Sequence, residues 1–371
     1  MKIWKRLSSG LFALVLLASL SCAALAAEPK AEKTASKPAG QFSQWFPGMG
    51  VNPEDPEASE AVLARMGTAI QQTKTVGGET LTLNGAVWEG RSVCFSLTAK
   101  SPNFPKEAGQ YTWLSSEGCT ARMPEEQWKA YVENKVESES ASLSKEKRDQ
   151  WLQYLMEQGQ TGELRPSLHL ASREGDTVQL TASMILDPYL EKPEITLHIK
   201  NVEITGQGAE QPGTRSGDYL LKGPFEFTFT LDKVLPSVKY EGDLQAAIKK
   251  RPVRITSASI SPTQISVGYA LDVKGTVNVI HRGQDPVPGA TNLDMDKDLN
   301  MRLEGVWTRD GKYLTCSGFA IQSVTTAPKN GEPITGHLGQ DFPYPIDPAA
   351  VTAVDISGTR VELAKLKPAA E

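Results

Sequence analysis

Residues 225–231 read FEFTFTL, and this stretch decides the fold class. Phe225, Phe227, Phe229 and Leu231 alternate with polar residues, which is a period of two. In a β-strand, successive side chains point to opposite faces of the sheet. The stretch therefore predicts a strand with one face on an apolar core and the other in water.

Shorter stretches with the same alternation lie on both sides of this segment. Residues 79–88 and 91–99 alternate around the turn Glu89-Gly90, which predicts a β-hairpin. The other predicted strands are residues 167–172, 178–186, 195–204, 253–260, 265–273, 293–303, 313–321 and 351–363. Short strands separated by Gly and Pro turns favour a sandwich over a parallel α/β sheet. We therefore expect a mainly β protein with two immunoglobulin-like β-sandwich domains in tandem.

A helical hairpin is predicted as an insert in the first domain at residues 124–159. Apolar residues recur at helical spacing in residues 124–136 and again in residues 144–158. The insert holds a dense set of aromatic residues: Trp128, Tyr131, Trp151 and Tyr154. These residues either pack the hairpin onto the sheet, as amphipathic stripes usually do, or leave part of the set as a ligand face.

The N-terminus has the pattern of a secretory signal peptide in residues 1–26. Three basic residues precede an apolar stretch at residues 10–20, and Ala24-Leu25-Ala26 is a small-x-small cleavage site. Retention as an anchor and lipidation at Cys22 are the alternatives. The pattern predicts a secreted or cell-surface protein, extracytoplasmic, with no membrane insertion after cleavage.

Composition suggests where the domains begin and end. Residues 27–43 are mostly Ala, Lys, Glu and Pro, which predicts a disordered tether. A helix is predicted at residues 56–73. The polar residues 240–250 separate the two series of strands. We therefore predict a first domain at residues 44–248 and a second at residues 249–366.

Charge limits the class of partner. The chain has 39 basic and 44 acidic residues, and the signal holds three of the basic ones, so the mature net charge is −8. An acidic chain without a basic cluster argues against nucleic acid and against anionic membrane surfaces. The expected partner is an unknown surface ligand or an envelope protein.

Catalytic and metal-binding patterns are weak throughout the sequence. The four histidines are scattered without the pairing typical of a zinc site, and no G-x-S-x-G nucleophile motif occurs. We therefore predict no catalytic residue, no metal and no cofactor. Cys94 and Cys119 are candidates for a disulfide, with two separate thiols as the alternative.

Several segments resemble the bacterial domain-of-unknown-function family 4179. Residues 73–99 (TKTVGGETLTLNGAVWEGRSVCFSLTA) are similar to its strand and hairpin, and residues 222–229 (KGPFEFTF) to its closing strand. Residues 255–273, 345–347 and 361–363 resemble the immunoglobulin-like domain that often follows. The resemblance implies a surface ectodomain of Gram-positive bacteria, usually behind a transmembrane helix and sometimes behind an anti-sigma segment, with no agreed activity. The cleavable signal and the helical insert depart from that pattern.

These patterns favour a non-enzymatic binding or structural protein of the bacterial cell envelope. Two alternatives remain open. One is a soluble relative of an anti-sigma or sensor ectodomain that acts through a membrane partner. The other is a cell-wall or polysaccharide hydrolase, whose mark would be a cleft of converging carboxylates.

Overall fold

The computed structural model divides the chain into two compact units, one ending at Pro236 and the other beginning at Ser237. The described residues are 40–101, 118–140, 143–158, 163–164, 166–203, 219–272, 277–280, 285, 291–294, 300–324 and 332–369. The predicted signal peptide lies outside them. No helix in this described part of the chain is long and apolar enough to cross a membrane.

The first unit is a β-sandwich with helices at its start and in its middle. Its helices are α1 (Gln41–Trp45), α2 (Pro56–Met66), α3 (Glu125–Glu139) and α4 (Lys145–Gln158). Its strands are β1 (Gly67–Val76), β2 (Glu79–Glu89), β3 (Ser92–Lys100), β4 (Cys119–Arg122), β5 (Glu163–Leu164), β6 (Ser167–Glu174), β7 (Thr177–Ile185), β8 (Glu194–Glu203) and β9 (Tyr219–Thr230). Sheet I has the order β1-β2-β3-β7-β6, and sheet II has the order β5-β4-β8-β9.

The core of the first unit lies between sheets I and II. Phe225 and Phe227 on β9 are fully buried, as the alternation predicts. The ring of Phe229 meets that of Phe95 on β3 edge-on, with centroids 5.7 Å apart. Burying an apolar side chain of this size contributes roughly 1.5–3 kcal/mol. The FEFTFTL stretch therefore lies in the edge strand β9 of sheet II, and its apolar side packs against sheet I.

The predicted helical hairpin is confirmed, and it emerges from between two paired strands. It consists of α3 and α4, and it connects β4 to β5, which pair with each other in sheet II. Tyr131, Val132 and Val136 form the buried side of α3 and belong to the sandwich core. The hairpin is therefore attached through its own apolar stripe.

Helices α1 and α2 cover the outer face of sheet I. Phe42, Phe46 and Leu63 form a small apolar cluster with Val87 and Cys94 of the sheet. Because this cluster lies on the side of sheet I that faces away from sheet II, sheet I is covered on both faces in this region.

Two predicted boundaries near these helices are wrong. Residues 41–43, predicted as tether, belong to α1, where Ser43 is buried beneath the Glu60 carboxylate that accepts its N–H at 2.8 Å. The predicted helix at residues 56–73 ends at Met66, because from Gly67 onward the chain pairs with β2 as a strand.

The second unit is a smaller β-sandwich. Its strands are β10 (Val238–Ile248), β11 (Arg251–Ile260), β12 (Gln264–Leu271), β13 (Val277–Ile280), β14 (Thr291–Asp294), β15 (Leu303–Thr308), β16 (Tyr313–Thr315), β17 (Ser317–Val324), β18 (Ile334–Asp341), β19 (Val351–Ile356), β20 (Thr359–Glu362) and β21 (Lys367–Pro368). Sheet III has the order β17-β18-β12-β11-β10-β21, and sheet IV has the order β16-β15-β19-β20. Strands β13 and β14 form a separate parallel pair. The prediction of a mainly β chain with sandwich architecture is confirmed.

The segment predicted to link the two domains is a strand of the second one. Residues 238–248 form β10, which pairs along its length with β11. Its outward side chains are polar, which gives the segment its linker-like composition, while Leu244 and Ala246 pack against the second core. The boundary therefore lies at Pro236, not at residue 248.

Two long predicted strands are each divided in two. The predicted strand 313–321 breaks at Cys316, where the chain passes from β16 in sheet IV to β17 in sheet III. The predicted strand 351–363 is the hairpin β19–β20, which turns at Ser357 and Gly358, both with positive φ. Such two-residue turns match the twist of the strands they join.

Candidate functional site

The aromatic residues of the insert do not form an open ligand face. Tyr131 is 5% exposed, and Trp128 and Trp151 are half-buried against the core of the first unit. Tyr154 is also half-buried. The rings of Trp128 and Tyr131 stack with centroids 5.6 Å apart. Packing of the hairpin onto the core therefore describes Trp128, Tyr131 and Trp151, and a ligand face on the exposed parts of the set stays a prediction.

A buried carboxylate fixes α3 to the loop that follows β7. Asp187 accepts from Arg91 Nε at 2.5 Å and from Lys135 Nζ at 3.1 Å, while its own side chain is 6% exposed. Its backbone N–H donates to the Tyr131 hydroxyl at 3.3 Å. Two cations from separate elements therefore compensate one buried charge, which is the arrangement that makes such burial tolerable.

A second set of contacts extends this network along α3. Glu139 accepts from Lys135 Nζ at 2.8 Å and from the Tyr189 hydroxyl at 2.7 Å. Asn134 donates to the Tyr189 carbonyl at 2.8 Å. The contacts to Tyr189 join the helix to the loop after β7, and the Lys135–Glu139 pair lies within the helix, so the network serves to position the insert.

The predicted disulfide between Cys94 and Cys119 is not present. Cys94 lies on the outer face of sheet I, in the cluster beneath α1 and α2. Cys119 lies on β4 of sheet II and points into the core between the sheets, where burial raises the pKa of its thiol to about 12. The body of sheet I separates the two sulfur atoms, so the side chains face different layers.

An aromatic and charged surface lies on the outer face of sheet IV. The inner face carries the row Leu314, Val306, Val354 and Val361, which packs toward the second core. Side chains alternate between faces, so the neighbouring positions on each strand point outward. Two outward rows cross the sheet: Tyr313-Trp307-Ala353-Glu362 and Thr315-Gly305-Asp355-Arg360. We call Trp307, Tyr313, Asp355, Arg360 and Glu362 the aromatic face.

The ring of Tyr313 lies across a glycine of the neighbouring strand. A Cβ atom on Gly305 would come within 2.5 Å of Tyr313 Cζ, so the absence of a side chain there lets the ring lie against the sheet. The hydroxyl donates to Asp355 Oδ2 at 3.2 Å. Desolvation of the hydroxyl and the nearby carboxylate raise the pKa of Tyr313 to about 12. The phenol end is therefore anchored, while the residue as a whole is 45% exposed.

Trp307 completes the aromatic part of the face. Its ring lies 4.8 Å from that of Tyr313 at an interplanar angle of 53°. The guanidinium of Arg360 lies 4.7 Å from the Trp307 ring centroid, a cation–π contact. Arg360 also donates its Nε–H to Glu362 at 2.7 Å. The rings and the charged groups therefore hold one another in place on one side of the sheet.

The groups on this face are suited to binding. In the described ranges, no three His, Cys, Asp or Glu side chains come together in a way that could hold a metal ion. Asp355 is committed to local structure, because its Oδ1 accepts from the Gly358 N–H at 2.8 Å while its Oδ2 accepts from Tyr313. Aromatic stacking and hydrogen bonding are what this surface can supply.

A small cleft also opens in the second unit. It has a volume of about 210 Å³ and is lined by residues 300–303, 320–322 and 338–340. Ligand pockets for small molecules typically measure about 300–1,000 Å³. The cleft is therefore too small to enclose such a ligand, and the exposed face of sheet IV is the stronger candidate site.

The sequence contains a hairpin pattern at this site that was not used in predicting the strands. Asp310-Gly311 lies between Trp307 and Tyr313, and an Asp-Gly turn between β-forming residues is a hairpin pattern. In the structure this hairpin joins β15 to β16 and sets Trp307 opposite Tyr313. Which face of the sheet the two rings occupy could not be predicted from the hairpin pattern.

Comparisons with known proteins add little to this description. No protein-family model and no curated protein matches the chain. Among solved structures, it is similar to the crystal structure of a conserved domain protein from Bacillus anthracis at 11% identity, covering 81% of this chain and 79% of that one. The TM-score is 0.38, and at that level the similarity carries no argument about fold or function. The resemblance to family 4179 stays a prediction.

Proposed function

We propose that this protein is a non-enzymatic binding protein of the bacterial cell envelope, exported by its N-terminal signal. It recognises a ligand through the aromatic face of the second unit. The proposal combines the predicted signal peptide at residues 1–26 with the binding groups that the aromatic face displays. The helical insert, which the sequence also offered as a ligand face, serves as a structural part of the first sandwich.

The observation that carries the proposal is the exposure of Tyr313. It is 45% exposed, and it is the one large hydrophobic side chain with an exposed surface in the described part of the chain. Tyrosine, tryptophan and arginine are enriched where binding energy is concentrated, and Tyr313 lies beside Trp307 and Arg360 on one face. Here the exposed ring is also held in a single position by Gly305 and Asp355. A ligand would therefore meet a preorganised surface and lose little entropy in ordering it.

A capture experiment with a matched control tests the proposal. The mature protein is immobilised and incubated with purified cell-envelope fractions, and the same is done with Tyr313→Ala and with Tyr154→Ala. We expect Tyr313→Ala to lose most of the captured material, because it removes the exposed ring. Tyr154→Ala should capture as the unchanged protein does, because Tyr154 belongs to the insert.

The opposite pattern would defeat the proposal. If Tyr154→Ala loses capture and Tyr313→Ala keeps it, the insert is the binding site after all. If all three proteins capture equally well, the aromatic face has no role in recognition. Circular dichroism on each variant establishes that the sandwich fold is intact before capture is compared.

A further inference from the structure

We infer that the ligand of the aromatic face is a neutral saccharide, bound by stacking of a pyranose ring on Tyr313. This inference rests on the proposed function, because it names the ligand class of the same site. Three properties of the face carry it: the orientation of the Tyr313 ring, the balance of its charges, and the polar groups at its margin.

The orientation of Tyr313 suits a flat ligand. One side of the ring lies over Gly305, and the hydroxyl is held by Asp355. The residue as a whole is 45% exposed, with the Trp307 ring beside it. The apolar C–H face of a pyranose ring is flat and of similar size to a phenol ring. It can therefore cover the exposed side of Tyr313 without any rearrangement of the sheet.

The charged groups of the aromatic face already have partners within the second unit. Arg360 is paired with Glu362 and lies over Trp307, so neither its charge nor that ring surface is open to a charged ligand. The carboxylate of Asp355 accepts two hydrogen bonds from its own unit. An anionic ligand would meet more carboxylate than cation, and a cationic ligand would have to displace Arg360 from Trp307. A ligand without charge meets neither obstacle.

Polar groups around the rings match the hydroxyls of a sugar. Arg360 uses Nε–H for Glu362, and a guanidinium carries four further N–H donors. Glu362 supplies carboxylate oxygens as acceptors, and the Thr315 hydroxyl lies in the same outward row as Gly305. Sugar hydroxyls act as both donors and acceptors. The face therefore combines one stacking surface with a mixed set of polar partners.

Binding of defined oligosaccharides to the mature full-length protein tests the inference. Isothermal titration calorimetry is carried out with three neutral probes: chitohexaose, cellohexaose and maltohexaose. An anionic probe of the same length, hexagalacturonate, is the matched control ligand. We expect at least one neutral hexasaccharide to bind, and to bind at least about tenfold more tightly than hexagalacturonate.

Two substitutions at one position separate stacking from hydrogen bonding. Tyr313→Ala should weaken binding of the neutral probe at least about tenfold, because the stacking surface is gone. Tyr313→Phe keeps the ring and loses the hydroxyl, so its affinity should stay within about threefold of the unchanged protein. Tyr154→Ala, in the insert, should bind as the unchanged protein does.

The outcomes distinguish failure of the inference from failure of the proposed function. If none of the neutral probes binds while Tyr313→Ala still abolishes capture of envelope material, the saccharide inference is overturned and the binding function stands. If a neutral probe binds equally well to Tyr313→Ala, the stacking site is wrong. Tighter binding of hexagalacturonate than of every neutral probe would overturn the argument from charge.

Discussion

The insert and the aromatic face each place a tryptophan beside a tyrosine, in very different surroundings. Trp128 and Tyr131 stack with centroids 5.6 Å apart, and Trp307 and Tyr313 lie 4.8 Å apart. Tyr131 is 5% exposed, whereas Tyr313 is 45% exposed. The first pair packs against the sandwich core, with Tyr131 buried and Trp128 half-buried, while the second lies on the outer side of a sheet. The same two residue types therefore stabilise the fold in one region and offer binding surface in the other.

The charged neighbours of the two pairs differ in the same way. In the insert, Lys135 lies over the Tyr189 ring and pairs with the buried Asp187. On the aromatic face, Arg360 lies over Trp307 and pairs with Glu362, whose side chain is 37% exposed. Breaking a buried ion pair strongly destabilises the folded protein, whereas an exposed pair contributes little to its stability. Two clusters of similar composition therefore differ in role because the sandwich core covers Tyr131, whereas Tyr313 is exposed.

Replacing the two tyrosines gives the largest expected difference. Tyr131→Ala should lower the free energy of unfolding by about 3–5 kcal/mol, because it leaves a cavity in the first core. Tyr313→Ala should lower it by less than about 1 kcal/mol, because half of that ring is already in water. Urea denaturation followed by circular dichroism measures both values. Equal losses of unfolding free energy in the two variants would contradict the distinction between a pair that stabilises the core and a pair that is exposed for binding.

The buried carboxylate of the insert gives an intermediate effect. Asp187→Asn should lower the free energy of unfolding by about 2 kcal/mol, because Lys135 loses its buried partner. This value allows for Arg91, which is half exposed and can be solvated instead. Asp243→Asn is the control, since it removes one exposed partner of Arg254 and should leave the unfolding midpoint in place. A larger effect at Asp243 than at Asp187 would show that burial is not what gives the network its strength.

A carboxylate of the second unit should give the smallest effect and one that depends on pH. Desolvation raises the pKa of Asp341 from 3.8 to about 6, against a hydrogen bond from Gln264 that lowers it. The folded state then holds the proton more tightly than the unfolded state, so the free energy of unfolding should fall as pH rises from about 4 to about 6. We expect a change of about 1 kcal/mol, after allowance for solvent screening at this partly exposed group.

The variant Asp341→Asn should remove that pH dependence. Thermal unfolding at a series of pH values between about 4 and 6 measures the slope in both proteins. A slope that persists unchanged in the variant would assign it to another group. Asp187, which is paired with two cations in the first unit, gives the contrast: its removal should cost stability at neutral pH, whereas the removal of Asp341 should not.

Much of the fold was predictable because the pattern that encodes it is local. The hairpin of β2 and β3, the strand that contains Phe225, and the helices of the insert all follow from residues close together in the chain. Errors arose where one local pattern fits two structures. Residues 238–248 are polar on one side, which is equally typical of a linker and of a strand with a solvated face.

The candidate site was harder to predict because exposure is not a local property. The insert has the denser set of aromatic residues, so the sequence favoured it, and three of them, Trp128, Tyr131 and Trp151, pack against the sandwich core. The pair Trp307 and Tyr313 lies in a short hairpin of which only the second strand, with Tyr313, was predicted. The open position of Tyr313 depends on Gly305 beneath it and Asp355 beside it, which the chain brings from other strands.

The mainly β class and the helical insert follow from alternation and helical spacing, which are patterns of neighbouring residues. Three features depend on the three-dimensional packing: Cys94 and Cys119 face different layers, β10 belongs to the second unit, and Tyr131 is buried while Tyr313 is exposed. The physical reason is that burial depends on which sheet or helix covers a side chain. That covering element is contributed by residues far away in the sequence.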